Sequence, residues 1–187
     1  MDFAKNFQPL RLLGSRLILF MNKIKLIFFQ LLAFLFIVNG IKRFYFAINS
    51  EKMDCISAYI KDSESDCWQQ ISTQENIFEF MTDMQIFPFY AGLYIMVLFL
   101  ILNVIFKFSW ITTLSTFILS FFTIRLVATG YLNSILNSLG SLFTQDTFSR
   151  YLIESMIYTL IGLVVLIVSI RSGKRIKKQS RLQSEMA

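Results

Sequence analysis

Tyr151 to Ile170 reads YLIESMIYTLIGLVVLIVSI, twenty residues with one charged side chain, Glu154. About twenty helical residues cross the roughly 30 Å hydrocarbon core of a bilayer, so this stretch is long enough and apolar enough to span a membrane. Three more segments read the same way. One begins near Leu26 and ends around Ala47, another runs from about Ile86 to Phe106, and a third starts at Trp110. Composition agrees: 55% of the 187 residues are hydrophobic and only 16% are charged, well short of the usual quarter for soluble domains. The expected fold is an all-α integral membrane protein with four transmembrane helices.

The charges flanking the spans set an orientation. Residues 1–25 carry Lys5, Arg11, Arg16, Lys23 and Lys25 against Asp2. The tail carries Arg171, Lys174, Arg175, Lys177, Lys178 and Arg181 against Glu185. Between Asn49 and Asp83 the balance reverses, with eight acids against Lys52 and Lys61. The positive-inside rule then predicts both termini in the cytoplasm and multi-pass insertion in a bacterial inner membrane. Lys42 and Arg43 oppose that pattern and are expected to snorkel to the outer headgroups. This gives a cytoplasmic segment at 1–25, a transmembrane domain at 26–170 with outer loops at about 49–83 and 130–150, and a basic tail at 171–187. The start MNKIKLIFF, from Met21, resembles an uncleaved signal-anchor. Residues 1–20 read either as an interfacial amphipathic segment or as an extension. The short linker around Lys107–Trp110 predicts an antiparallel hairpin of the second and third spans.

Composition also removes several chemistries. There is no histidine, so no Ser-His-Asp or Cys-His nucleophile and no imidazole metal ligand can form. No catalytic, cofactor-binding or metal-ligating residues are assigned, and no cofactor is expected. The two cysteines, Cys55 and Cys67, lie in the first outer loop, where oxidising conditions favour a structural disulfide. Eleven residues separate them, unlike the C-x-x-C of thiol oxidoreductases. Thiol-redox chemistry therefore remains only as a remote alternative. Ile71, Phe78, Phe80 and Met81 after Cys67 predict a short ordered cap over the outer mouth of the bundle. The second outer segment, Gly130–Arg150, has leucines at helical spacing against an Asn/Ser face and reads as an amphipathic helix.

Two features inside the spans could carry function. The third helix has a polar seam, Ser109, Thr113, Thr116, Ser120 and Thr123, and the fourth a shorter one in Ser155, Thr159 and Gly162. Small and hydroxyl residues permit close helix approach in lipid. The seam can serve packing within the four-helix unit, self-association, or the lining of a small oligomeric pore. Arg125 and Glu154 are expected at similar depth on adjacent helices, where an ion pair would relieve two charges in hydrocarbon. The basic tail is expected to anchor anionic lipid headgroups or dock a cytoplasmic protein. It has no aromatic residues to stack bases, so direct nucleic-acid binding is not expected.

Taken together, the four spans, the loop CISAYIKDSESDC and the tail GKRIKKQSR give the chain a profile that resembles the membrane component of the Kiwa anti-phage system. The resemblance implies a homo-oligomeric membrane sensor that works with a soluble, DNA-binding partner on the cytoplasmic face. The expected function is a non-enzymatic sensor or scaffold relaying an envelope signal inward.

Overall fold

The computed structural model describes residues 8–61, 77–128 and 142–185. Its elements are α1 (Gln8–Ile48), α2 (Ser50–Lys61), α3 (Ile77–Ile105), α4 (Trp110–Ala128) and α5 (Thr147–Glu185). Four helices are long and apolar enough to cross a membrane: Leu17–Ile48, Phe78–Ile105, Trp110–Ala128 and Thr147–Gln179. They overlap all four expected spans, and the chain is a multi-pass membrane protein. Large apolar side chains such as Tyr94, Val104, Ile111, Phe122 and Leu160 are exposed on the outer faces. In water such patches would drive association; in a membrane-spanning bundle they suit contact with lipid or with a neighbouring subunit.

α1 is the central helix. It runs antiparallel to α3, as Gln30–Asn103, Phe34–Phe99 and Tyr45–Phe87 meet in reverse order. It is parallel to α4, through Gln30–Thr116 and Lys42–Val127. It is antiparallel to α5 along most of its length, through Phe46–Tyr151, Arg43–Glu154 and Gly40–Thr159. The apolar core joins Phe34, Ile37 and Val38 of α1 to Met96 and Phe99 of α3 and Ile124 and Val127 of α4. α5 packs on α1 and makes little contact with the α3–α4 hairpin, so α1 separates the two.

The α3–α4 connection explains the hairpin. Phe108 N–H reaches the Asn103 carbonyl at 3.0 Å and Lys107 N–H the Val104 carbonyl at 2.9 Å, which is a Schellman ending. Lys107 holds the left-handed position, φ 52°, where glycine is the usual residue. Ser109 then caps α4 by accepting Thr112 N–H on its hydroxyl at 3.3 Å. This connection marks the turn end of the molecule, and the opposite end is the loop end.

The structure redraws two expected boundaries. α1 is one unbroken helix from Gln8, and its candidate span starts at Leu17, so residues 17–25 belong to the first span; residues 1–7 lie outside the described residues. The described parts of the expected first outer loop are helical: α2 follows α1 after a single break at Asn49, and α3 starts nine residues before Ile86. Ile56 of α2 packs with Phe80, Met81, Met84 and Tyr45. That cluster is the cap anticipated over the bundle mouth, and Phe80 and Met81 are in it. Ile71 and the amphipathic stretch at 130–141 lie outside the described residues.

Candidate functional site

At the loop end a carboxylate is enclosed by cations. Glu154, in the second turn of α5, is 0% exposed, and Arg43 of α1 is 2% exposed. Arg43 Nε lies 3.2 Å from Glu154 Oε2. Arg150, one turn earlier on α5, places its Nε 3.4 Å from Oε1. Lys42 points the other way, to α4, and donates to the Val127 carbonyl at 2.9 Å. Aromatic faces complete the enclosure. The Arg43 guanidinium lies 5.5 Å from the Tyr151 ring and 5.9 Å from that of Phe46, and Lys42 lies 5.6 Å from Phe46. A carboxylate this deep is tolerable only with charge-assisted partners.

Below this cluster the α1–α5 interface is closely packed. A side chain at Gly40 would collide with the Thr159 hydroxyl and come within 3.0 Å of the Thr159 backbone nitrogen. One at Gly162 would sit 2.7 Å from Ile37 and 3.1 Å from the Ala33 carbonyl. Ser155, Thr159 and Gly162 thus lie against α1, with the backbones in close approach.

A second polar layer lies nearer the turn end and holds no charge. Thr116 donates to Gln30 Oε1 at 2.7 Å, Gln30 donates to Asn103 Oδ1 at 2.6 Å, and Asn103 donates to the Phe99 carbonyl at 3.0 Å. It ties α4, α1 and α3 together. Buried Asn39 Nδ2, Ser120 Oγ and Ser169 Oγ have no hydrogen-bond partner among the described residues.

The sequence-predicted residues are redistributed. The Arg125–Glu154 pair is corrected to Arg43–Glu154 with Arg150. Arg125 follows the inward-facing Ile124 by 100° of helix rotation and is exposed, lining a shallow cavity of about 330 Å³ with Gln85, Phe89 and Tyr90. Similar depth did not make the two helices neighbours, because α1 stands between them. Lys42 and Arg43 do not snorkel outward; both are buried and bonded inside the protein. The α4 seam divides. Thr116 and Ser120 are buried together with Thr112, Ile124 and Val127. Thr113 and Thr123 instead turn their hydroxyls to the Ser109 and Leu119 carbonyls of their own helix. Ser109 accepts the capping bond from Thr112 N–H and shares a second bond with the Thr112 hydroxyl. Cys55 is buried in α2, and its expected partner Cys67 lies outside the described residues. Arg171, Lys174, Arg175, Lys177, Lys178 and Arg181 all lie on α5, which continues unbroken to Glu185.

Gln30 and Asn103 were missed, and Lys42 and Arg43 were expected at the headgroups instead of in the protein interior. Their signal was nonetheless present: each is a strongly polar residue inside an apolar run, where a lone amide or charge must find a protein partner. Among the described residues no three His, Cys, Asp or Glu side chains are placed to hold a metal. Just outside the buried cluster, Asp146 caps α5 by accepting Ser149 N–H at 2.8 Å. The bonds from Ser149 hold its carboxyl below the ordinary aspartate value. Beside it, Thr147 donates to Asp54 of α2 at 2.7 Å. No protein-family model, curated protein or solved structure matches the chain.

Proposed function

We propose that the protein is a non-enzymatic sensor or scaffold subunit of a bacterial inner membrane, homo-oligomeric, which relays a change at its outer end to a cytoplasmic protein. One observation carries the reading: α5 is a single helix of 39 residues joining the loop-end contacts to the basic segment. At 1.5 Å per residue it is about 58 Å long, nearly twice the hydrocarbon thickness. Its first turn is bonded to α2 through Thr147 and Asp54, its second is clamped to α1 by Glu154, and its last turns carry Arg171 to Arg181. A displacement of α2 therefore has a rigid path to the tail.

Charge supports the orientation. Among the described residues, Glu51, Asp54, Glu79, Asp83, Asp146 and Glu154 lie towards the loop end, which favours placing the turn end in the cytoplasm. A disulfide between Cys55 and Cys67 would close the chain that follows α2 onto that helix. The resemblance to the membrane component of the Kiwa system fits this arrangement and makes anti-phage defence the proposed setting. The pore alternative gains no support from the α4 hydroxyls, since those of Thr113, Thr116 and Thr123 are bonded within one chain.

The test is isolation from native membranes in mild detergent, with mass determination and identification of co-purifying proteins. The expected result is an oligomer carrying a soluble protein that is lost on Arg175→Glu with Lys178→Glu. A monomer with no partner would overturn the reading.

A further inference from the structure

Three lysines from three separate elements converge on one cleft at the turn end. Lys23 of α1, Lys107 of the α3–α4 connection and Lys177 of α5 line a cleft of about 220 Å³, together with Ser109 and Thr112. Leu26 and Ile176, both buried, form part of its apolar wall. None of the three lysines has an ion-pair partner among the described residues. The sequence supplies no acid between Asp2 and Glu51, between Asp83 and Asp146, or between Glu154 and Glu185. These intervals contain every residue lining the cleft. Three lysines lining one cleft with no carboxylate among its lining residues give it a positive field, which an anion would neutralise.

The position of Lys107 is held by the fold. It occupies a left-handed backbone conformation, φ 52°, that costs a side-chain-bearing residue energy and that glycine would take freely. Its neighbours fix the connection to α5. Gly173 leaves room for the Phe108 ring, which a side chain there would strike, and Lys174 lies 5.1 Å from the ring of Phe106. The hydroxyls of Ser109 and Thr112 are 2.7 Å apart and share one hydrogen bond. That bond uses one of the pair's two hydroxyl protons, so one remains available to an acceptor in the cleft that both residues line.

We infer that this cleft binds a phosphate group, and that its source is the headgroup of an anionic phospholipid in the leaflet at the turn end. The lysines and hydroxyls meet the phosphate, and the apolar wall beside them receives the start of an acyl chain. The choice of a lipid source rests on the proposed placement of the turn end at the cytoplasmic leaflet. Phosphate recognition itself does not.

The test uses the full-length protein in dodecyl maltoside, where no membrane side or partner is needed, so its outcome is separate from that of the sensor reading. Thermal unfolding is followed while short-chain phosphatidylglycerol, phosphatidylcholine or inorganic phosphate is added. Phosphatidylglycerol is expected to raise the midpoint by several degrees, and the other two to leave it unchanged. Each of Lys23→Gln, Lys107→Gln and Lys177→Gln should weaken the response about fivefold, and the triple variant should abolish it. Arg175→Gln, outside the cleft lining, should retain it. Lys107→Gly guards against misfolding: it suits the backbone, so the lipid-free midpoint should hold or rise while the phosphatidylglycerol response falls. A response to inorganic phosphate that the triple variant abolishes would keep the phosphate site and overturn the lipid source. Equal responses to phosphatidylglycerol and phosphatidylcholine, or a full response in the triple variant, would overturn the site.

Discussion

The two buried polar layers do different jobs with different groups. At the loop end α5 is joined to α1 by a carboxylate and guanidinium groups. Towards the turn end, α1, α3 and α4 are joined by two amides and a hydroxyl. Neutral hydrogen bonds between membrane helices contribute about 0.6 kcal/mol each on average, and losing one leaves the others in place. A buried ion pair is less forgiving, because removing either partner strands a charge in low dielectric. The difference matches the surroundings. The three-helix unit already has an interlocking apolar core, whereas the α1–α5 seam is smooth, with small residues in close approach. A smooth seam can slip by a turn, and Glu154 can meet Arg43 in only one register. The neutral layer adds cohesion; the charged layer fixes where α5 sits.

The charged layer should therefore dominate mutational effects. Glu154→Leu removes the carboxylate beside buried Arg43 and is expected to cost about 3–5 kcal/mol in unfolding by sodium dodecyl sulfate titration from mixed micelles, while Arg43→Met with Glu154→Leu should recover most of the loss. Next comes the seam. Gly40→Leu drives a side chain towards the Thr159 and Ser155 backbones and should cost about 1–3 kcal/mol by the same measurement, with loosening seen as increased proteolysis between α2 and α5. The neutral layer should respond less: Gln30→Leu or Thr116→Val is expected to cost about 1 kcal/mol, with α5 still protected.

The smallest effect lies outside both layers. Asp146 titrates below its ordinary value because Ser149 bonds to the carboxylate. A carboxyl with a lowered folded-state value stabilises above its unfolded value and loses that contribution as pH falls through the lowered one. Asp146→Asn keeps a cap and should flatten this acid limb of the stability profile without changing stability at neutral pH by much.

The spans were legible because hydrocarbon demands long apolar runs, and the hairpin was legible because four residues leave the chain no other course. Neighbour relations were not. Counting turns gave Arg125 and Glu154 comparable depths, but depth is one coordinate, and which helices touch is decided by packing around α1. The seam was partly legible for a similar reason. A 4-3-4-3 spacing marks one face, and the helix buried a neighbouring stripe, Thr112–Thr116–Ser120–Ile124, which shares two of its members. Lys42 and Arg43 were misread because snorkelling is the usual recourse for cations near a helix end, and their partners are distant in sequence. The lysine cleft was hidden altogether, since Lys23, Lys107 and Lys177 meet only once three helices are assembled.

The most direct measurement is a pair of double-mutant cycles on folding free energy, one on Arg43 and Glu154 and one on Arg125 and Glu154, each with neutral replacements. The account predicts a coupling of about 1–3 kcal/mol for the first pair and none beyond error for the second. Coupling confined to Arg125 and Glu154, or absent from both, would contradict the claim that a buried ion pair fixes α5 to the central helix.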